Sequence, residues 1–112
     1  MQEAIIKLKA LGPMPDAVED DPTEETIRMY DELLTKVKVP LTQAETEVLI
    51  SIFPKSGMYG VEWELLKLVE SYLIEATTSK VYREIITRCP SKEWRETMQI
   101  RLDNWEKKIG KQ

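Results

Sequence analysis

The sequence predicts an all-α single domain over residues 1–112, an irregular bundle of five to six helices or a helical-repeat-like stack of them. Three observations carry this expectation. Apolar residues recur at spacings of three and four along most of the chain, the period of one helix face. No segment alternates cleanly with period two, so no sheet is needed to house the apolar residues. Prolines and glycines fall at intervals that suit short helices joined by tight turns. With 112 residues the chain has the length of one domain and one modest core.

The first helix is read over 1–10, where Ala4, Ile5 and Leu8 share a face. Gly12-Pro13-Met14-Pro15 ends it, because prolines remove backbone donors and push their neighbours toward extended conformations. Asp21-Pro22 reads as the next start, with aspartate as N-cap and proline at the first helical position. Glu24 and Glu25 then suit the positive end of the helix dipole. Ile27, Tyr30, Leu34 and Val37 form the apolar face, with Leu33 beside them, and Pro40 closes the segment. Residues 37–39 read alternatively as a short extended piece, though without an obvious partner strand.

Thr42-Gln43-Ala44-Glu45 matches the capping box, in which the threonine and glutamate side chains each satisfy a backbone donor. The helix it opens is expected to run through Phe53, turning Val48, Leu49, Ile52 and Phe53 inward. Pro54 and Lys55-Ser56-Gly57 end it. Gly60 then opens the most apolar helix, read over 61–75. Val61, Leu65, Leu66, Leu68, Val69, Tyr72 and Leu73 cover a broad arc, and Glu64, Lys67, Ser71 and Glu75 form the polar stripe. Such a helix is expected at the centre of the core. Glu62 projects into the apolar arc, where at a first turn it can reach solvent or bare backbone donors. Trp63 and Ile74 lie off the main face, beside Glu70.

Thr77, Thr78 and Ser79 are potential caps for a helix whose face is Val81, Tyr82, Ile85, Ile86 and Cys89. Pro90 breaks it, and Ser91 is a good N-cap for the last helix. There Trp94, Met98, Leu102, Trp105 and Ile109 make one continuous seam, with Arg95, Glu96, Gln99, Asp103 and Lys107 on the other side and Gly110 at the end.

Absent residue types narrow the chemistry. The chain has no histidine, so the usual acid–base group near neutral pH and the Ser-His and Cys-His mechanisms drop out. The single cysteine, Cys89, permits no internal disulfide and sits on an apolar face, where packing is the simpler reading than reactivity. Zinc needs several cysteine or histidine ligands, and the glycines are too scattered for a phosphate loop. Carboxylates are abundant, and the Glu62/Glu70 pair is the least implausible seat for paired-carboxylate chemistry. The expectation is a domain that is not an enzyme and needs no cofactor or metal.

Charge points to the kind of partner. The net charge of −4 argues against direct contact with nucleic acid, which requires a basic footprint. Residues 1–11 carry Glu3, Lys7 and Lys9 and do not read as a signal peptide, and the apolar stretch 61–74 holds four charges, too many for a membrane span. The expected compartment is the cytoplasm. Residues 16–25 hold six acidic side chains and no basic one: Asp16, Glu19, Asp20, Asp21, Glu24 and Glu25. This run reads either as a solvated loop entering a helix or as a surface that attracts a basic protein. Trp63 reads as a cover for a second neighbour or as an exposed interface anchor. Phe53, Met58 and Tyr59 flank one turn and read as a recognition patch or as a core-lining loop.

The block 52–70, Ile-Phe-Pro-Lys-Ser-Gly-Met-Tyr-Gly-Val-Glu-Trp-Glu-Leu-Leu-Lys-Leu-Val-Glu, resembles a pattern of small bacterial proteins. That pattern runs Leu-Phe, a polar turn, aromatic-Gly-Leu, then Trp and a Leu-Leu-x-Leu-Ile-Glu run. The stretches 8–15 and 40–45, and Glu93-Trp94 with Arg101 and Asn104, look like further parts of the same group. Some of its members look like immunity proteins of polymorphic-toxin and contact-dependent growth inhibition systems. The resemblance implies a cytosolic, non-catalytic inhibitor, acidic because many targets are basic nucleases, that binds its cognate toxin domain as a monomer in a 1:1 complex and covers the active site. For such a partner, the charge pattern of this sequence puts the binding residues first at Asp16, Glu19, Asp20, Asp21, Glu24 and Glu25, and second at Glu62 and Glu70 with Trp63, although the pattern of the group has a small residue at Glu62. A homodimeric helical adaptor or regulatory protein is the alternative, burying its surplus apolar surface against a second copy.

Overall fold

The computed structural model describes residues 1–74 and 76–110. Six helices follow one another: α1 (Glu3–Leu11), α2 (Glu24–Lys36), α3 (Gln43–Ser51), α4 (Val61–Glu70), α5 (Ala76–Ile86) and α6 (Lys92–Gly110). Among the described residues there is no strand, and residues 37–39 are irregular. The all-α expectation holds.

The helices associate as three successive pairs. α1 lies on α2, α3 on α4 and α5 on α6, while α1–α3 and α2–α4 contacts join the first two pairs and α3–α5 the last two. Stacking pairs in chain order draws the molecule out to 46 × 28 × 19 Å. The hub is α3, which touches α1, α4 and α5, whereas α4 touches only α2 and α3 through its backbone neighbours. By backbone proximity the most apolar helix has fewer neighbours than α3, but it is flanked on more than one side, as expected. Its side chains also meet α6 from outside the apolar arc: Trp63 meets Trp94 edge-on, at 5.1 Å between ring centroids and 81° between planes. α3 instead turns Glu45, Thr46, Val48, Leu49 and Ile50 inward on several sides.

Capping chemistry sets several boundaries. The Thr42 hydroxyl accepts from the Glu45 amide at 3.1 Å, and Glu45 Oε1 accepts from the Thr42 amide at 3.0 Å, so the expected box is complete. The other Glu45 oxygen accepts from the Gln2 amide at 3.0 Å, joining the start of α1 to that of α3. Ser91 caps α6 by accepting from the Trp94 amide at 3.2 Å, while its hydroxyl donates to the Lys55 carbonyl at 2.7 Å.

Several expected boundaries shift. α1 spans Glu3–Leu11 rather than 1–10, with Gly12 at φ 80° as its C-cap. α2 starts two residues later than Asp21-Pro22 suggests. Asp21 sits at φ 41°, outside the extended region an N-cap needs, and Thr23 caps the helix by accepting from the Thr26 amide at 3.2 Å. α3 stops at Ser51, short of Phe53, because the residue before Pro54 is disfavoured in the helical region. α4 ends at Glu70 rather than at 75: the Tyr72 and Leu73 amides bond three residues back, at 3.2 and 2.9 Å, and tighten the last turn out of the α register. Cys89 lies beyond the end of α5 but is still buried. Glu75 and the side chain of Thr77 lie outside the described residues. Thr78 accepts from the Ile74 amide at 3.1 Å across the α4–α5 connection.

The seam of α6 is as expected at its start, with Trp94, Met98 and Leu102 buried and Trp105 and Ile109 partly so. Phe53 stacks on Trp94 at 5.4 Å, and the indole N–H donates to the Ser56 carbonyl at 2.7 Å. α6 is thereby fastened to the segment that leads into α4.

Candidate functional site

An open groove of about 910 Å³ lies between the loop after α1, the segment after α3 and the first half of α6. Its floor is apolar, from Met14 at 3% exposure and Phe53 at 2%. Its rim carries Glu19 and Asp20 on one side and Glu93 and Glu96 on the other, with Lys55 and Lys92 between. Lys55 reaches Glu19 at 2.7 Å, and Lys92 is 4.0 Å from Glu96. Hydrogen bonding to Glu19, reinforced by its charge, raises the Lys55 pKa, so this lysine stays cationic and is committed to that partner. Glu93 forms no ion pair among the described residues. Ile100 stands exposed at the far end of the α6 wall.

The loop that forms one wall is organised by Asp16. This carboxylate is 5% exposed and takes up four backbone amides: Oδ2 accepts from Val18 at 3.1 Å and Glu19 at 3.0 Å, and Oδ1 from Ser56 at 3.0 Å and Gly57 at 3.4 Å. The Ala17 amide adds a bond to the Gly57 carbonyl at 2.8 Å, and the Asp16 amide donates to Asp20 at 2.7 Å. These bonds, led by that from the Glu19 amide, outweigh the opposing effect of burial and hold the Asp16 carboxyl below the usual carboxylate range. Asp16 therefore shapes the wall.

Glu62 has an equivalent task on the other side of the same turn. It is 5% exposed and accepts from the Met58 amide at 3.1 Å with both oxygens. The apolar-arc position read from the sequence is real, and a bare backbone donor is what the carboxylate found there. Gly57 leaves it room, since a Cβ at that position would stand 2.9 Å from Glu62 Oε2.

The remaining acidic run does not gather into one patch. Asp21 is exposed at the bend before α2, and Glu25 is exposed and lines neither this groove nor the next. Glu24 turns to a second groove, between α2 and α4. Glu70 is held by Arg101 of α6 in a two-pronged pair, 2.6 Å from Nε and 2.8 Å from Nη2, so its charge is matched within the molecule. Glu62 and Glu70 lie eight positions apart on α4, roughly 12 Å along its axis, and have separate partners. Trp63 is 51% exposed and meets Trp94 with its edge, so it covers a second neighbour as one of its two readings expects. Of the Phe53, Met58 and Tyr59 group, the first two are core and only Tyr59 faces out.

Glu93 belongs to the rim but entered the sequence reading only through the Glu93-Trp94 resemblance, not as a binding residue, and Glu96 was read only as part of the polar side of α6. The available signal was the exposed Ile100. Glu93, Glu96, Thr97 and Ile100 follow the i, i+3, i+4, i+7 pattern, a second stripe beside the tryptophan seam.

Cys89 is buried, and burial pushes its thiol pKa up, so it is not a ready nucleophile. No described helix is long and apolar enough to cross a membrane. Comparison of the chain with protein-family models, with curated proteins and with solved structures gives no match.

Proposed function

We propose that the chain is a non-catalytic binding domain whose groove beside the Asp16 loop receives a basic protein surface. Within that class, the reading that agrees best with the sequence resemblance is an immunity protein of a bacterial toxin system. It acts in the cytoplasm as a monomer, forms a 1:1 complex with its cognate toxin domain and covers the active site of what is, by charge, a basic nuclease.

One observation carries this reading: the groove surrounds an apolar floor with exposed carboxylates from two walls, Glu19 and Asp20 facing Glu93 and Glu96. An apolar centre inside a charged rim is the anatomy of a protein interface, and complementary charge at the rim speeds encounter and selects the partner. The walls are also held in advance, by Asp16 on the loop side and Ser91 on the helix side. A preformed site lowers the ordering cost of association.

The test is to express the chain with the toxic domain encoded beside it and to measure both survival and the mass of the complex by light scattering. Protection together with a 1:1 complex supports the reading. An obligate dimer that neither binds nor protects favours the adaptor alternative instead.

A further inference from the structure

The turn held by Asp16 and Glu62 separates two grooves, and the second has a chemistry of its own. It lies between α2 and the start of α4 and measures about 530 Å³. Ile27 and Val61 form its base, and Tyr59, a residue 64% exposed, forms one wall. Carboxylates reach it from two helices, Glu24 and Asp31 on α2 and Glu64 on α4. Arg28 also lines it, and neither Arg28 nor Glu24 nor Asp31 forms an ion pair among the described residues. Glu64 has only a loose contact, 3.9 Å from the exposed Lys67. The cleft is thus acidic on balance, with unmatched charge beside an accessible aromatic face.

We propose that this cleft is a docking site for an arginine side chain presented by a partner protein. The guanidinium lies on the Tyr59 ring, its fork meets Asp31 and Glu64 from opposite walls, and its aliphatic stem covers Ile27 and Val61. Arg28 at the edge of the lining opposes a cation, and the three carboxylates outnumber it; the ring, the carboxylates and the apolar base each match one part of that side chain. An aromatic face attracts a cation and stacks with a planar one. Carboxylates on two helices suit a fork of donors better than a point charge. An apolar base suits the methylene stem. The turn presents Tyr59 in a fixed pose: its neighbour Met58 is buried, the Met58 amide is bound by Glu62, and the Val61 amide donates to the Met58 carbonyl at 3.1 Å. A partner that fills the first groove would straddle this turn and reach the second.

The inference rests on the protein-binding reading for its partner but not for its test, which uses a small probe. N-acetyl-arginine amide and its uncharged isostere N-acetyl-citrulline amide are titrated into the purified chain while the Tyr59 ring and the backbone amides are followed by NMR. The expected result is a saturable shift of the Tyr59 ring and of the amides around Asp31 and Glu64 with the arginine probe alone. Asp31→Asn, at an exposed helix position, should weaken it about two- to fivefold, and Tyr59→Leu should remove it. Equal shifts with the citrulline probe, or no shift at Tyr59, overturn the inference. Either result leaves the first groove and its partner untouched, because complex formation is measured separately. A variant that loses its dispersed spectrum is replaced by Glu64→Gln, for which the same weakening is expected and an unchanged titration counts against the inference.

Discussion

Asp16 and Glu62 between them accept three consecutive amide protons of one turn: Ser56 and Gly57 donate to Asp16, and Met58 donates to Glu62. Both carboxylates are buried, one from the loop after α1 and one from the first turn of α4. Consecutive N–H groups converging on negative charge make a small anion-binding concavity, here filled by the protein's own side chains. The turn is thereby fixed between the two grooves, and the walls of both depend on it.

Asp16→Asn tests the first half of this arrangement. An amide offers one acceptor oxygen where the carboxylate offers two, so the donors on one side face an N–H₂ group instead. The loss of two charge-assisted bonds, with part-buried donors left unmatched, is expected to lower the urea midpoint. Urea denaturation followed by circular dichroism measures it, and a shift near zero would mean that the loop is not held by this residue.

Glu62 and Gly57 should behave as a coupled pair. Gly57→Ala places a methyl group 2.9 Å from Glu62 Oε2 and pushes the carboxylate off the Met58 amide. A destabilisation of roughly 1–2 kcal/mol is expected in the wild-type background and much less in Glu62→Ala, where the clash is gone. Additive effects in the double-mutant cycle would show that the two sites act independently.

Acid should loosen the fold through two named carboxyls. Asp16 is held low chiefly by the Glu19 amide, with Ser56, Val18 and Gly57 adding to it, and Glu45 chiefly by the amides of Gln2 and Thr42. A carboxyl whose folded-state pKa is depressed stabilises fully above its unfolded value, and that contribution is lost as pH falls through the folded value. Stability should therefore be level near neutrality and fall below about pH 4. The combined Asp16→Asn and Glu45→Gln variant should be less stable near neutrality but lose less on acidification. An identical pH slope in the two proteins would assign acid sensitivity to other groups.

Tyr82 offers a change in the opposite direction. Its hydroxyl is buried with no hydrogen-bond partner among the described residues, and burial, aided by the nearby Glu70 charge, pushes its pKa up. Removing an unmatched polar atom from an apolar site should not cost stability. Tyr82→Phe is expected to be neutral or stabilising by up to about 1 kcal/mol, read from the urea midpoint. A clear loss would reveal a partner for the hydroxyl.

The sequence revealed what is local. The Thr42–Glu45 box and the Ser91 cap depend on residues three apart, and both are present in the structure. The tryptophan seam followed from spacing alone. What stayed hidden is what depends on distant chain segments. Asp16 looks like one more acid in a charged run, and only its meeting with Ser56, forty positions away, makes it an internal tie. Glu70 looks equally free until Arg101 arrives from α6. The start of α2 was misplaced because Asp-Pro is a good helix opening, yet Asp21 here takes a positive φ and leaves the cap to Thr23. The groove rim mixes the two kinds of information: Glu19 and Asp20 come from the run that attracted attention, and Glu93 and Glu96 from a helix face that did not.

The proposed 1:1 complex is tested most directly by isothermal titration calorimetry of the proposed cognate toxin domain against the wild-type chain and against the variant Glu93→Gln with Glu96→Lys, since Asp20 is left to hold the Asp16 amide. These changes strip negative charge from the groove rim and leave Asp16, Glu62 and the apolar floor in place. The account predicts a 1:1 complex for the wild type, and for the variant an affinity weaker by about a hundredfold with an unchanged circular dichroism spectrum and urea midpoint. Undiminished affinity in the folded variant would contradict it.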